Sequence, residues 1–88
     1  MLMVNPPSLT FTTLGTQQTF QANESGYTGT FTLNDGGSCA AIAVFGPSSG
    51  PGPSLTVTVT SIANGSCTIT ATDSNGQTAP VTVVVNFI

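Results

Sequence analysis

The chain is expected to fold as an all-β sandwich of seven short strands in two sheets. Three observations carry this expectation. Segments in which apolar or small residues alternate with Thr recur along the whole length, clusters of Gly, Asn, Asp, Ser and Pro stand between them, and no segment keeps a helical period beyond one turn. A small closed barrel is the alternative arrangement of the same strands. The 88 residues, 39% of them hydrophobic, suit one domain spanning 1–88, large enough for a modest packed core and too small for two.

Residues 8–13 (SLTFTT) put Leu9 and Phe11 on one face and Thr10 and Thr12 on the other. Pro6 and Pro7 ahead of them cannot donate to a ladder, which suits an entry or edge strand. Leu14 and Gly15 turn the chain into a second strand, 16–22, where Phe20 and Ala22 share a face with Gln18. After the turn cluster 23–26, the third strand, 27–34, directs Tyr27, Gly29, Phe31 and Leu33 inward and Thr28, Thr30 and Thr32 outward. Residues 34–38 form a loop by composition. The apolar run 39–45 fits one helical turn or a buried strand, and its length and neighbours favour the strand.

Residues 46–53 (GPSSGPGP) carry three Gly and three Pro and are expected to be an irregular surface connection. Strict alternation resumes at 54–61, with Leu55, Val57 and Val59 opposing Thr56, Thr58 and Thr60. The stretch 65–85 then reads as an antiparallel hairpin about the turn Asp73-Ser74-Asn75-Gly76. Cys67, Ile69 and Ala71 oppose Thr68, Thr70 and Thr72 in its first arm, and Val81, Val83 and Val85 oppose Thr82 in its second. A lone hairpin is marginal in water, so these arms belong to a larger sheet.

Charge narrows the function. There is no Lys, Arg or His, and Glu24, Asp35 and Asp73 are the only charged side chains, 3% of residues where ~25% is ordinary. Without basic side chains the chain cannot neutralise phosphates, so neither nucleic acid nor an anionic lipid surface is an expected partner. No apolar run reaches the ~18 residues of a membrane span. Catalysis has no imidazole base, no Schiff-base amine and no cationic oxyanion stabiliser to draw on, so no enzyme activity and no cofactor are expected. Asp73-Ser74-Asn75-Gly76 begins like a calcium loop but lacks the terminal bidentate Glu, and reads as a hairpin turn; no metal site is expected there or at Asn34-Asp35-Gly36.

Two cysteines do not make a zinc site. Cys39 and Cys67 are either a disulfide, the better reading, or two buried thiols in a reduced protein. A bridge would be worth roughly 3.5 kcal/mol in the chain-entropy model and implies an oxidising setting, extracellular or at the cell surface. Met1-Leu2-Met3-Val4 is short, lacks a basic region and runs into Asn5, so it does not read as an export signal; the chain is expected to be a mature segment or a module.

The outward Thr residues are the candidate contact face: Thr28, Thr30 and Thr32 on one strand, Thr68, Thr70 and Thr72 on the next, and Thr82 beyond them. Such an array serves as ordinary solvent-facing strand surface, as a contact for other copies, or as a platform for a regular ligand such as a polysaccharide or an ice lattice. Carbohydrate sites use exposed aromatics, and Tyr27 is the single polar aromatic here.

Pro7-Ser8-Leu9-Thr10-Phe11, the run Gly65 to Asp73 with Gly76 after it, and Val81-Thr82-Val83-Val84-Val85 resemble a bacterial immunoglobulin-like (Big) domain over about residues 4–86. The resemblance implies an immunoglobulin-like Greek-key sandwich, with the first, second, fifth and fourth strands facing the third, sixth and seventh. It further implies a repeated, non-catalytic module of a bacterial adhesin or other cell-surface or secreted protein. Neighbouring modules, and a polysaccharide or host surface, are the partners so implied. The chain has no Trp, so the Cys-Trp-Cys core of antibody domains is absent. The rival expectation is a subunit of an extracellular filament, joined through apolar ends (Met1 to Val4, Phe87 and Ile88), edge strands or the Thr face.

Overall fold

Alternation with period two sends the Val, Ile and Phe side chains to one side of each strand and Thr to the other. In the computed structural model, which describes residues 2–86, those sides become the inside and outside of two facing sheets. Nine strands form: β1 (Met3–Asn5), β2 (Ser8–Phe11), β3 (Gln17–Asn23), β4 (Thr30–Asn34), β5 (Ala43–Gly46), β6 (Ser49–Pro51), β7 (Ser54–Ser61), β8 (Gly65–Thr72) and β9 (Thr78–Val85). One sheet has the order β1-β3-β7-β5 and the other β2-β9-β8-β4-β6. Between them Phe11, Phe20, Phe31, Ile69, Val57, Val59, Val81 and Val83 are fully buried. Burial of each such side chain stabilises by about 1.5–3 kcal/mol before chain entropy is counted.

The expectation of seven strands is corrected in three places. The chain divides at Pro6 and Pro7, so that Met3–Asn5 pairs antiparallel with β3 while Ser8–Phe11 lies parallel to β9 in the opposite sheet. The expected first strand therefore sits opposite the sheet implied by the family resemblance. Residues 39–42 make a single turn, closed by Ala43 N–H to Cys39 O at 2.9 Å, and only 43–46 extend as a strand along β7. Residues 49–51, expected to be irregular, pair with β4 as a short edge strand. Pro51 suits an edge, where one side of the backbone needs no partner.

Connections gather at two poles. Leu2 N–H donates to Gln77 Oε1 at 2.8 Å, so the chain enters beside the 73–77 turn and the 24–29 connection. It leaves at the other pole, where Asn86 N–H donates to Phe11 O. The long axis between the poles is 42 Å. Of the apolar ends expected to be available for pairing, Leu2 is buried and Met3 is 63% exposed. Met1, Phe87 and Ile88 lie outside the described residues.

Cys39 and Cys67 form a disulfide, with S–S 1.96 Å and Cα–Cα 5.2 Å, tying the 39–42 turn to β8 across 28 positions of sequence. Asp35 orders that turn by accepting from Gly37 N–H at 2.9 Å and Cys39 N–H at 3.0 Å, filling donors that the start of a helical turn leaves open.

Candidate functional site

The outer face of the five-stranded sheet brings most of the expected Thr residues together. Strand register sets Thr32 beside Thr72 and Thr72 beside Thr78, while Ser8, Thr82 and Thr68 make a second row. Asn34, Thr70 and Pro80 lie between these rows. Strand spacing of ~4.8 Å and a side-chain repeat of ~6.7 Å make the face a regular array of hydroxyls and methyls. Thr30, Thr32, Thr68 and Thr82 are exposed, and Thr70 and Thr72 half-buried. Thr28 departs from the expectation: β4 begins at Thr30, which leaves Thr28 exposed on the polar connection and off the ladder.

The turns at 34–38 stand above one end of this face and close one side of an open groove of about 700 Å³. Asn34, Asp35, Ser38, Thr68, Thr70, Thr72 and Thr82 line it. Its single charged group, Asp35, is engaged with the backbone of its own turn. The groove thus offers hydroxyls and one carboxylate, a surface for hydrogen bonding and not for acid or base chemistry.

A second constellation, unrecognised in the sequence, lies at the pole where the chain enters. Glu24 and Asp73 are 7% and 5% exposed and interact with each other. Asp73 Oδ1 accepts from Asn75 N–H at 2.9 Å and Gln77 N–H at 2.8 Å, which shapes the hairpin turn. The hydrogen bond with Asp73 holds the Glu24 carboxyl above its ordinary 4.5, and burial and the Asp73 charge push the same way. Burial alone would raise Asp73, but hydrogen bonds from Glu24 and from the Gln77 and Asn75 amides outweigh it, leaving its pKa below the ordinary 3.8.

Tyr27 braces this pole. Its hydroxyl donates to Thr30 O at 2.8 Å, accepts from Ser74 N–H at 2.8 Å and lies 2.9 Å from Ser74 Oγ. The ring packs on Phe31 with centroids 5.0 Å apart. Gly52 permits this seat, since a Cβ there would come within 2.6 Å of the ring and 2.9 Å of Tyr27 O. The inward direction of Tyr27 is legible from alternation, whereas its bond to Ser74 is not. No group of three or more His, Cys, Asp or Glu side chains placed to hold a metal occurs among the described residues.

No protein-family model and no curated protein sequence matches the chain. Solved structures do. A structure of domains 4 and 5 of the S-layer protein SbsC superposes with a TM-score of 0.81 at 22% identity, over 98% of this chain and 51% of that one. Domains 1–6 of SbsC give 0.82 at 22% identity, over 100% of this chain and 13% of that one. A Bacteroides ovatus GH5 xyloglucanase, solved with a XXXG heptasaccharide, gives 0.79 at 19% identity, over 100% of this chain and 19% of that one. The chain spans about half or less of the SbsC structures it matches. At these identities the likeness is one of fold.

Proposed function

We propose that this chain is a non-catalytic structural module of the bacterial immunoglobulin-like type, with Greek-key topology, set in series within a cell-surface or secreted protein. The observation that carries this reading is the entry of the chain at one pole and its exit at the other, along a 42 Å body. Modules so built join end to end without turning the chain back on itself. The division of the first strand between both sheets and the order of the remaining strands support the Greek-key assignment. Likeness to individual SbsC domains supports placement in a surface protein, and the disulfide supports an oxidising, extracellular setting. A side-chain complement without Lys, Arg or His supports a role outside catalysis.

A direct fusion of two copies tests the reading by small-angle scattering. The expected particle is a rod whose longest dimension approaches twice the 42 Å axis of one module. A folded-back, globular pair would contradict it.

The regular, uncharged face formed by Thr32, Thr68, Thr72 and Thr82 favours a second reading, self-association of copies through that face. Sedimentation of the single chain at micromolar concentration separates the two. A monomer supports the serial module, and ordered filaments would make assembly the primary role.

A further inference from the structure

Among the described residues, the large apolar side chains left exposed are Met3, Leu14, Val44 and Ile62, and they gather toward the two ends of the body. Leu14 and Ile62 belong to the pole where the chain leaves. Ile62 N–H donates to Ile42 O at 2.8 Å, one rung beyond the Ala43–Ser61 pair, and Gly15 N–H donates to Ser61 O at 2.9 Å, which brings the Leu14 turn alongside. Ala43 and Ser61 are buried, so the period of two turns Val44 and Ile62 out on one face of the sheet. Met3 stands at the opposite pole, paired with Asn23 on the edge strand β1.

We propose that Leu14, Ile62 and Val44 form the seat for the entry pole of a following copy of this module, with that copy's Met3 set against them. This joint rests on the serial reading given above and names the surface through which the series is held. Val85 pairs with Gly65 and Asn86 N–H donates to Phe11 O, so the last described residue stands at the pole that carries Leu14 and Ile62. The two residues after it reach at most ~7 Å, so a copy joined after Ile88 begins at that pole. Charge favours the same contact. With no Lys, Arg or His an end-to-end joint cannot use side-chain ion pairs, residues 12–16 and 61–65 carry no charge, and Glu24 and Asp73 at the entry pole are buried, so no exposed like charges meet. Size decides when the contact operates. A body 19 × 17 Å across presents roughly 300 Å² at each end, short of the ~1,000 Å² in total that holds free copies together. Between joined copies the partner is already at millimolar effective concentration, and a contact of that size suffices.

A fusion of two full copies, Ile88 to Met1, tests the joint separately from the serial reading. The fusion should melt about 4–8 °C above the single chain. Leu14→Ser with Ile62→Ser in the leading copy should abolish that increment, whereas the same pair in the trailing copy, whose exit pole faces water, should leave it intact. Met3→Ser should show the reverse, removing the increment from the trailing copy and not from the leading one. An effect on folding itself would be equal in either copy, so position in the fusion separates the joint from the fold; if the Leu14 and Ile62 variant does not fold, Met3→Ser decides. A fusion that melts with the single chain overturns the proposal. So do substitutions that act equally in both copies, a result that would assign the seat to Phe87 and Ile88 of the same chain. Scattering from the same fusion tells the two failures apart: a rod without the increment overturns the joint alone, and a folded-back pair overturns the serial module with it.

Discussion

Glu24 and Asp73 stand far apart in the sequence, each inside a turn cluster whose local chemistry explains it well enough. Nothing in the alternation of strands indicates that two of the three carboxyls in the chain become buried neighbours, because that depends on how the turns of opposite sheets meet at one pole. Their opposite pKa displacements have a measurable consequence. The raised pKa of Glu24 means that the folded state holds that proton more tightly than the unfolded chain; this stabilisation is complete below the ordinary 4.5 and is lost as pH rises through the raised value. Asp73 works in the other sense, contributing above its ordinary 3.8 and losing that contribution as pH falls through the lowered value. Stability measured by denaturant unfolding should be greatest between those values and decline toward neutrality, and Glu24→Gln should flatten the decline. A steady rise from pH 4 to 7 in the native chain would contradict this.

At the scale of elements, sequence pattern locates β7 and both arms of the closing hairpin well, because long runs of alternating β-branched residues have no competing conformation. It misplaces elements where composition and tertiary pairing disagree. The Gly- and Pro-rich segment 46–53 has the residues of a loop, yet Ser49–Pro51 finds an open edge on β4, with Gly50 lying under Leu55. Ala40 to Ile42 have the apolar character of a strand, yet Asp35 organises a turn ahead of them. The disulfide fastens that irregular turn to the regular ladder of β8. Replacing Cys39 and Cys67 together by Ala should lower the unfolding free energy by about 3.5 kcal/mol in the chain-entropy account, read from denaturant curves. A loss under about 1 kcal/mol would mean that Asp35 and local packing alone hold the turn.

For the molecule as a whole, the expected sandwich class, the inward residues and most of the Thr face are legible because one alternating pattern specifies all three. Strand count and sheet membership are not, since they turn on the break at Pro6 and Pro7 and on which edge each short segment joins. That break has a mechanical consequence. β2, near the start of the chain, lies parallel to β9, which ends it, with Ser8 to Phe11 paired to Thr82 to Val85. Tension applied between the two ends pulls these neighbours in opposite directions along their lengths, so the hydrogen bonds of the ladder share the load and cannot open one at a time like a zipper. In single-molecule stretching of a tandem array of copies, each module should resist as a discrete force peak. Thr82→Pro should lower that peak, because Thr82 N–H donates to Pro7 O at 3.0 Å and proline removes that rung of the β2–β9 ladder, and an unaltered peak would place the mechanical resistance elsewhere. A surface protein made of such units would lengthen under load by opening one module at a time, each still tethered internally by its Cys39–Cys67 bond.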